Sequence, residues 1–367
     1  MRFWLRVLGP FAAAAAGFAV ASWLLKTRTQ YLESSFQKKL DEMKPTMLAI
    51  SGRRLSLDEV NEQEQLVSEN PSNLRARCLL LGFYNRADRS AVEAKKYQEH
   101  ALWVIEHKPE HPIAKECELL SDSYSESAYQ QGKRLWLRHL KRQGRDTAIL
   151  RHAANYFLLE DGALAEQLLL AGKELQPNNP EWSEQLAHLY DLGIDGIKHT
   201  ELAAKALEHQ ERAYSLCQSG SAFDRLRRLE SLPEKAFNAG QFEKASTYAQ
   251  WLLSETIGGG LPDHFGNAGD DFRHKGHSVL GRIAVRNGDI EAAKSHLHSS
   301  ADLTGSPVLN SFGPSMLLAK ALLEKEETEA VLKYLDRCAM FWHSDRGRIS
   351  DWRKEIAAGT IPSDWHR

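Results

Sequence analysis

Residues 146–179 read DTAILRHAANYFLLEDGALAEQLLLAGKELQPNN, and Pro180 then opens a second stretch, PEWSEQLAHLYDL. In the first stretch Ile149, Ala153 and Tyr156 recur at helical spacing, and so do Ala165, Leu169 and Gly172, with an Asp-Gly break between the two sets and Pro177 after them. The mixture of sizes matters. Two antiparallel helices approach closely only where small side chains let their backbones meet, and large side chains then fill the gap to the next hairpin. The second stretch begins 34 residues after the first (180 − 146 = 34) and repeats the order with Leu186, Ala187 and Tyr190. After an insertion, Ala206 and Ala213 stand seven apart, as Ala165 and Gly172 do.

The same beat recurs along the chain. Leu280, Gly281, Gly288, Asp289, Ile290, Ala293 and Leu297 follow it, GQFEKA (240–245) matches GDIEAA (288–293), and Leu81, Gly82, Ala94 and Ala101 carry it near the start. This pattern resembles the tetratricopeptide repeat (TPR) family, whose 34-residue helix–turn–helix unit sets large residues at positions 4, 7, 11 and 24, small ones at 8, 20 and 27, and proline near 32. The resemblance covers residues 57–345. Trp182 stands one residue before its expected place, the proline survives clearly only at Pro177, and residues 109–143 and 306–340 fit only as degenerate helix pairs. No sustained period-two pattern of β-formers occurs, which argues against a sheet. The expected fold is therefore all-α: a TPR-like helix-turn-helix solenoid of about six or seven repeats over residues 56–345. Residues 346–367, with RISDWRKEIAA (348–358), supply a capping helix and tail for the exposed end of the stack.

Composition agrees with a folded chain. Hydrophobic residues are 42% and charged residues 26% of the 367, which excludes a disordered or collagen-like protein. Lys and Arg number 47 against 49 Asp and Glu, so no global field attracts nucleic acid, and no nucleic-acid partner is expected. Cys78, Cys117, Cys217 and Cys338 lie far apart and form no CxxC, so they are read as buried small residues, neither a zinc ribbon nor a disulfide framework.

The N-terminus reads as a membrane segment. Residues 7–25 (VLGPFAAAAAGFAVASWLL) carry no charge, with Arg2 and Arg6 before them and Lys26 and Arg28 after. Nineteen helical residues span roughly 28 Å, about the thickness of a bilayer's hydrocarbon core. Trp4 and Trp23 stand near the two ends, where indole rings prefer the interface. The expectation is a tail (1–6), a transmembrane anchor (7–25) and a polar helical stalk (26–55), placing the protein in a bacterial inner membrane with its bulk in the periplasm. The alternative is a cleaved signal peptide with an A-x-A site at Ala19-Val20-Ala21. Ser56 and Glu59 form a capping-box pair that starts the first helix after the stalk, and Asn70-Pro71 ends it.

No catalytic constellation emerges: the chain has no phosphate-binding Gly-x-x-x-x-Gly-Lys-Ser/Thr loop, no Gly-x-Ser-x-Gly elbow and no His-Glu-x-x-His helix. A metal set could assemble around the glycine-rich stretch 254–271 from Asp263, His264, Asp270, Asp271, His274 and His277. The competing reading makes Asp270 and Asp271 helix caps and His277 a packed residue. KRLWLRHLKRQGR (133–145) carries six basic residues and no acid; it suits an anionic partner or, more simply, a solvated helix face. The turn 310–314 (NSFGP) is either a binding loop or a helix boundary.

In peptide-binding members of the resembled family, positions 2, 5, 9 and 12 of the first helices point to a concave face. Carried onto this chain, they select Glu181, Glu184, His188 and Asp191 in one repeat, Lys275, Ser278 and Arg282 with Val285 in another, and Phe83 and Arg86 with Ala76 and Leu79 in the earliest. The functional expectation is a membrane-anchored, non-catalytic scaffold that binds a protein or peptide partner along that face, with no cofactor. The alternatives are a metal-dependent enzyme using residues 263–277 and a self-associating structural protein of the envelope.

Overall fold

The computed structural model of the protein describes residues 44–86, 89–119, 125–193, 199–218, 220–257 and 269–365. Among them every regular element is helical and there is no strand. The expected anchor at residues 7–25 and the stalk up to residue 43 lie outside the described residues. Among the described residues no helix is long and apolar enough to cross a membrane. The chain divides into two compact units between Glu160 and Asp161, between the two helices of the 146–179 stretch.

Unit 1 holds α1 (Pro45–Gly52), α2 (Leu57–Glu69), α3 (Leu74–Tyr84), α4 (Ala91–His107), a 3-10 turn (Pro112–Glu116), α5 (Glu126–Gln143) and α6 (Thr147–Phe157). Ser56 caps α2 as expected: its backbone N–H donates to Glu59 Oε2 at 2.7 Å, and the Glu59 N–H donates back to Ser56 Oγ at 3.3 Å. Ser90 and Glu93 repeat the device at the start of α4. Residues 45–52, read from the sequence as the end of the stalk, form α1, which packs on α3. Contact there is backbone to backbone. A Cβ on Gly82 would sit 1.7 Å from the Ala49 carbonyl oxygen, and one on Gly52 would sit 2.0 Å from that of Leu79. With α1, α2 and α4 around it, α3 is buried from Ala76 to Tyr84.

Unit 2 runs from α7 (Gly162–Leu175) through α8 (Pro180–Leu192), α9 (His199–Ser215), α10 (Ala222–Leu229), α11 (Leu232–Asn238), α12 (Phe242–Ile257), α13 (Gly269–Asn287), α14 (Ile290–Ser299), α15 (Pro307–Phe312), α16 (Leu317–Leu323) and α17 (Thr328–Phe341) to α18 (Arg348–Ala357). Helices α8/α9, α11/α12, α13/α14 and α16/α17 pair as hairpins. Successive hairpins touch through α11 on α13, α13 on α16 and α14 on α17.

Three of these hairpins close with one turn. The N–H groups of Gln241, Asp289 and Glu327 donate to the carbonyls of Ala236, Ala284 and Leu322 at 2.9, 2.9 and 3.0 Å. The residue just before each donor has positive φ: Gly240 at 72°, Gly288 at 80° and Glu326 at 64°. That is a left-handed helix stop of the Schellman kind. Counting from each, the residues five, nine and twelve further on are buried: Ala245, Ala249 and Leu252; Ala293, Leu297 and Ser300; Val331, Leu335 and Cys338.

Small residues sit where neighbours come close. A Cβ on Gly172 would meet the Trp182 ring at 2.4 Å, and one on Gly281 would meet Leu318 at 2.3 Å. At the C-terminal end α18 packs on α17, burying Ile349, Trp352 and Ile356 beside Trp342 and Trp365. All four cysteines are buried and unpaired, and burial pushes the Cys78 and Cys338 thiols up to about 12, so they pack without reacting.

Candidate functional site

Helices α8, α11, α13 and α16 are the first helices of the four hairpins in unit 2. Residues from all four, or from the segments leading into them, enclose a cavity of about 490 Å³. Asp191 comes from the end of α8, Lys275 and Ser278 from α13, and Leu317 from the start of α16. The remaining wall is the break between α10 and α11, with Glu230, Ser231, Glu234 and Lys235. This break has a local cause. Pro233 lacks the N–H that a continuous helix would need there, so the chain stops at Leu229 and restarts at Leu232 with the proline in its first turn.

Of the sequence-selected residues, Asp191, Lys275 and Ser278 meet at this cavity. None of the charges around it stands alone. Asp191 pairs with Lys235, and Lys275 with Glu230. Arg282 Nη1 donates to both carboxylate oxygens of Glu234, at 2.6 and 2.8 Å, while its guanidinium lies 3.9 Å from the centroid of Phe237. Glu184 pairs with Arg227 and with Arg228 at 3.2 Å. The stripe of acids on α8 is thus one side of a ladder whose other side comes from α10 and α11. The cations Arg228, Lys235 and Arg282 are largely covered while their acids Glu184, Asp191 and Glu234 are partly exposed, so it is the acids that stay open to a ligand's own charges.

Ser278 differs. It is 6% exposed, and its Oγ has no hydrogen-bond partner. An unmatched buried hydroxyl costs about 1–3 kcal/mol, which a bound polar group would recover.

The other selected residues have different surroundings. Glu181 and His188 are exposed on α8. Arg86, in unit 1, donates to Glu93 at 2.7 Å and covers the Phe83 ring at 4.0 Å. Phe83 itself is only 2% exposed, so the expectation that it faces a partner is corrected: its place on α3 is enclosed by neighbouring helices.

The metal reading meets an obstacle at His274. This ring is fully enclosed; its Nδ1–H donates to the Ser300 carbonyl at 2.9 Å, and its Nε2 accepts the Ser315 N–H at 2.8 Å. Neither nitrogen has a lone pair left for a cation, and burial holds the imidazole neutral, with its pKa lowered to about 4. His277 and His296 approach through their Nδ1 atoms at 3.0 Å, one donating to the other. Asp270 is buried and accepts from the Thr304 and Gly305 N–H groups at 3.0 and 2.9 Å, while Asp271 accepts from Ser306 Oγ at 2.6 Å. These acids stand in the first turn of α13, where the helix dipole favours them, and also tie it to the segment before α15. Asp263 and His264 lie outside the described residues.

In the basic stretch of α5, Trp136 is buried in unit 1 while Arg134, Arg138, Lys141 and Arg142 are exposed, the distribution of a solvated outer face.

Sequence reasoning missed the contribution of α11. The GQFEKA signature marks the turn and second helix of a hairpin, so a first helix had to precede Gly240. Projecting inward positions onto it would have found Glu230 and Glu234. No family model matches this chain, and no curated protein matches it.

Proposed function

We propose that the chain is a TPR-type stack of helical hairpins acting as a non-catalytic scaffold, and that a protein or peptide segment binds along the first helices of unit 2. The observation that carries this reading is the 490 Å³ cavity bounded by α8, α11, α13 and α16. A repeat array presents equivalent helices side by side, and a segment lying across them meets one after another. The paired charges offer both signs along the path, and the Ser278 hydroxyl offers an unmatched polar group. The shared turn at Gly240, Gly288 and Glu326 supports the repeat assignment. The uncharged run at residues 7–25 supports an N-terminal membrane anchor with the hairpins outside the cytoplasm.

Site-specific photocrosslinking in cells tests the groove. A crosslinker at His188 or Ser231 of the full-length protein should capture a discrete partner, and one at Lys333 on α17 should not. Equal capture at all three positions, or none at His188 and Ser231, removes the groove assignment. Reporter fusions after Arg367 test the topology independently.

A further inference from the structure

A second cavity lies at the C-terminal end of unit 2. It measures about 610 Å³, within the usual range for small-molecule sites. Its apolar wall is made by Trp342, Trp352 and Trp365. Trp342 and Trp352 have ring centroids 5.7 Å apart, and Trp352 meets Trp365 edge-on at 5.4 Å. Phe312, on the 310–314 turn, also lines it and is 78% exposed.

Four observations give the cavity a chemical preference. First, Trp342 and Trp365 are buried to 2% and 1% exposure, yet neither indole N–H has a hydrogen-bond partner. Trp352, by contrast, donates to Asp364 at 2.7 Å. A buried indole N–H normally finds an acceptor.

Second, Arg346 and Arg348 line the cavity, and neither makes an ion pair among the described residues. Arg348 lies 4.5 Å over the Trp342 ring and donates through Nε to the Asp345 carbonyl at 3.0 Å. The acids on the wall are engaged elsewhere: Asp364 by Trp352 and Asp271 by Ser306. Lys275 is paired with Glu230.

Third, Arg346 holds a left-handed backbone, with φ of 56°, directly before Gly347. The Arg346–Gly347 pair turns the chain into α18 and sets Arg346 beside the cavity. Fourth, the wall is built closely. A Cβ on Gly313 would sit 2.3 Å from the Trp342 ring, and the His343 N–H donates to Asn310 Oδ1 at 2.9 Å, fixing the 310–314 turn against the tryptophans.

We propose that this cavity binds an organic monoanion with an aromatic or compact apolar body, the body against the tryptophans and the anionic group on Arg346 and Arg348. The site stands independently of the peptide groove, although Lys275 and Ser315 line both cavities. It also gives the NSFGP turn a role as one wall of a binding site.

Equilibrium dialysis of the full-length protein with 1-naphthoate tests the proposal. Saturable binding at one site per chain is expected. The neutral 1-naphthamide and the bodyless acetate should each bind roughly tenfold more weakly or worse, because each lacks one half of the recognition. The double variant R346N/R348Q should weaken naphthoate by a similar factor without shifting the melting temperature, since asparagine tolerates the left-handed backbone. R348Q alone leaves position 346 untouched and should show part of the loss, which guards against a folding defect in the double variant. No saturable binding, naphthamide binding as well as naphthoate, or unchanged binding in both variants would each overturn the assignment.

Discussion

Phe83 and Arg282 each follow a Leu-Gly pair, at the same place in the repeat pattern, and they have opposite environments. Phe83 is packed inside unit 1, while Arg282 leans across the first helices of unit 2 to Glu234. The difference lies in a neighbour. In unit 1 the short helix α1 rests on α3 in backbone contact at Gly52 and Gly82. In unit 2 the corresponding Gly281 takes Leu318 from the next hairpin, and the adjoining face carries Lys275 and Ser278 at a cavity, with Arg282 paired to Glu234 beside it. A repeat pattern identifies equivalent positions. Whether such a position is core or surface depends on what the rest of the chain lays over it.

The sharpest way to break this comparison is to truncate the enclosed member. Phe83→Ala removes a ring from a packed interior and should cost about 3–5 kcal/mol, read from urea denaturation. A cost below about 1 kcal/mol would mean that α3 is not enclosed as described.

The two units should also answer acid differently in depth. His274 is neutral in the fold, with its pKa lowered from 6.5 to about 4 by burial. The unfolded chain takes a proton that the folded one refuses, so stability is intact above pH 6.5 and falls as pH drops towards 4. The loss from His274 is on the order of 3 kcal/mol. His277, also lowered to about 4 by burial, and His296 act in the same direction. Burial lowers His111, His139 and His152 in unit 1 too. Unit 1 also holds a carboxylate that answers to acid. Hydrogen bonds from His100 and Tyr84 hold Glu64 at about 2, against the effect of burial, and that stabilisation is present above pH 4.5 and lost as pH falls through 2. Hydrogen exchange followed by mass spectrometry across pH 7 to 4 should show α13 and α14 losing protection. His274→Asn should flatten that slope, and an unchanged slope would reassign it.

Arg282→Ala probes the open member of the pair. Its partner Glu234 is half-solvated, but Arg282 itself is mostly covered and stacks on Phe237, so the change should cost about 1–2 kcal/mol. A larger loss than for Phe83→Ala, measured in the same urea series, would invert the comparison.

Much of the architecture was legible because it rests on side-chain size. Ala165, Gly172, Ala187, Ala206, Ala213, Ala245 and Ala293 are all buried in unit 2, and each was identifiable from its spacing. Enclosure by α1 was harder to read, since PTMLAISG is too short to show a period. Yet Ala76, Leu79 and Phe83 form an apolar row where the later repeat has Lys275, Ser278 and Arg282, and that contrast was in the text. The ion-pair ladder was hidden for another reason: it joins residues more than forty positions apart, such as Glu184 to Arg227 and Asp191 to Lys235. The C-terminal cavity was half visible, in the NSFGP turn and the tryptophans, but nothing local joined them.

The last comparison is among the turns of unit 2. Gly240 and Gly288 adopt their left-handed conformation without a Cβ penalty, and an added Cβ on either would touch nothing within 4 Å. Glu326 adopts the same conformation with a side chain, at φ 64°, and that side chain is exposed. The cost to Glu326 is therefore a backbone cost alone, on the order of 1 kcal/mol. Removing it should outweigh the added freedom that glycine gives the unfolded chain, so Glu326→Gly should stabilise by about 0.5 kcal/mol. Gly288→Ala should destabilise by about 1 kcal/mol through the same term. Urea midpoints with unchanged denaturant slopes would measure both. Opposite signs at the two sites are the signature of one turn used twice; if Glu326→Gly destabilises, the α16/α17 turn does not share the geometry of the other two.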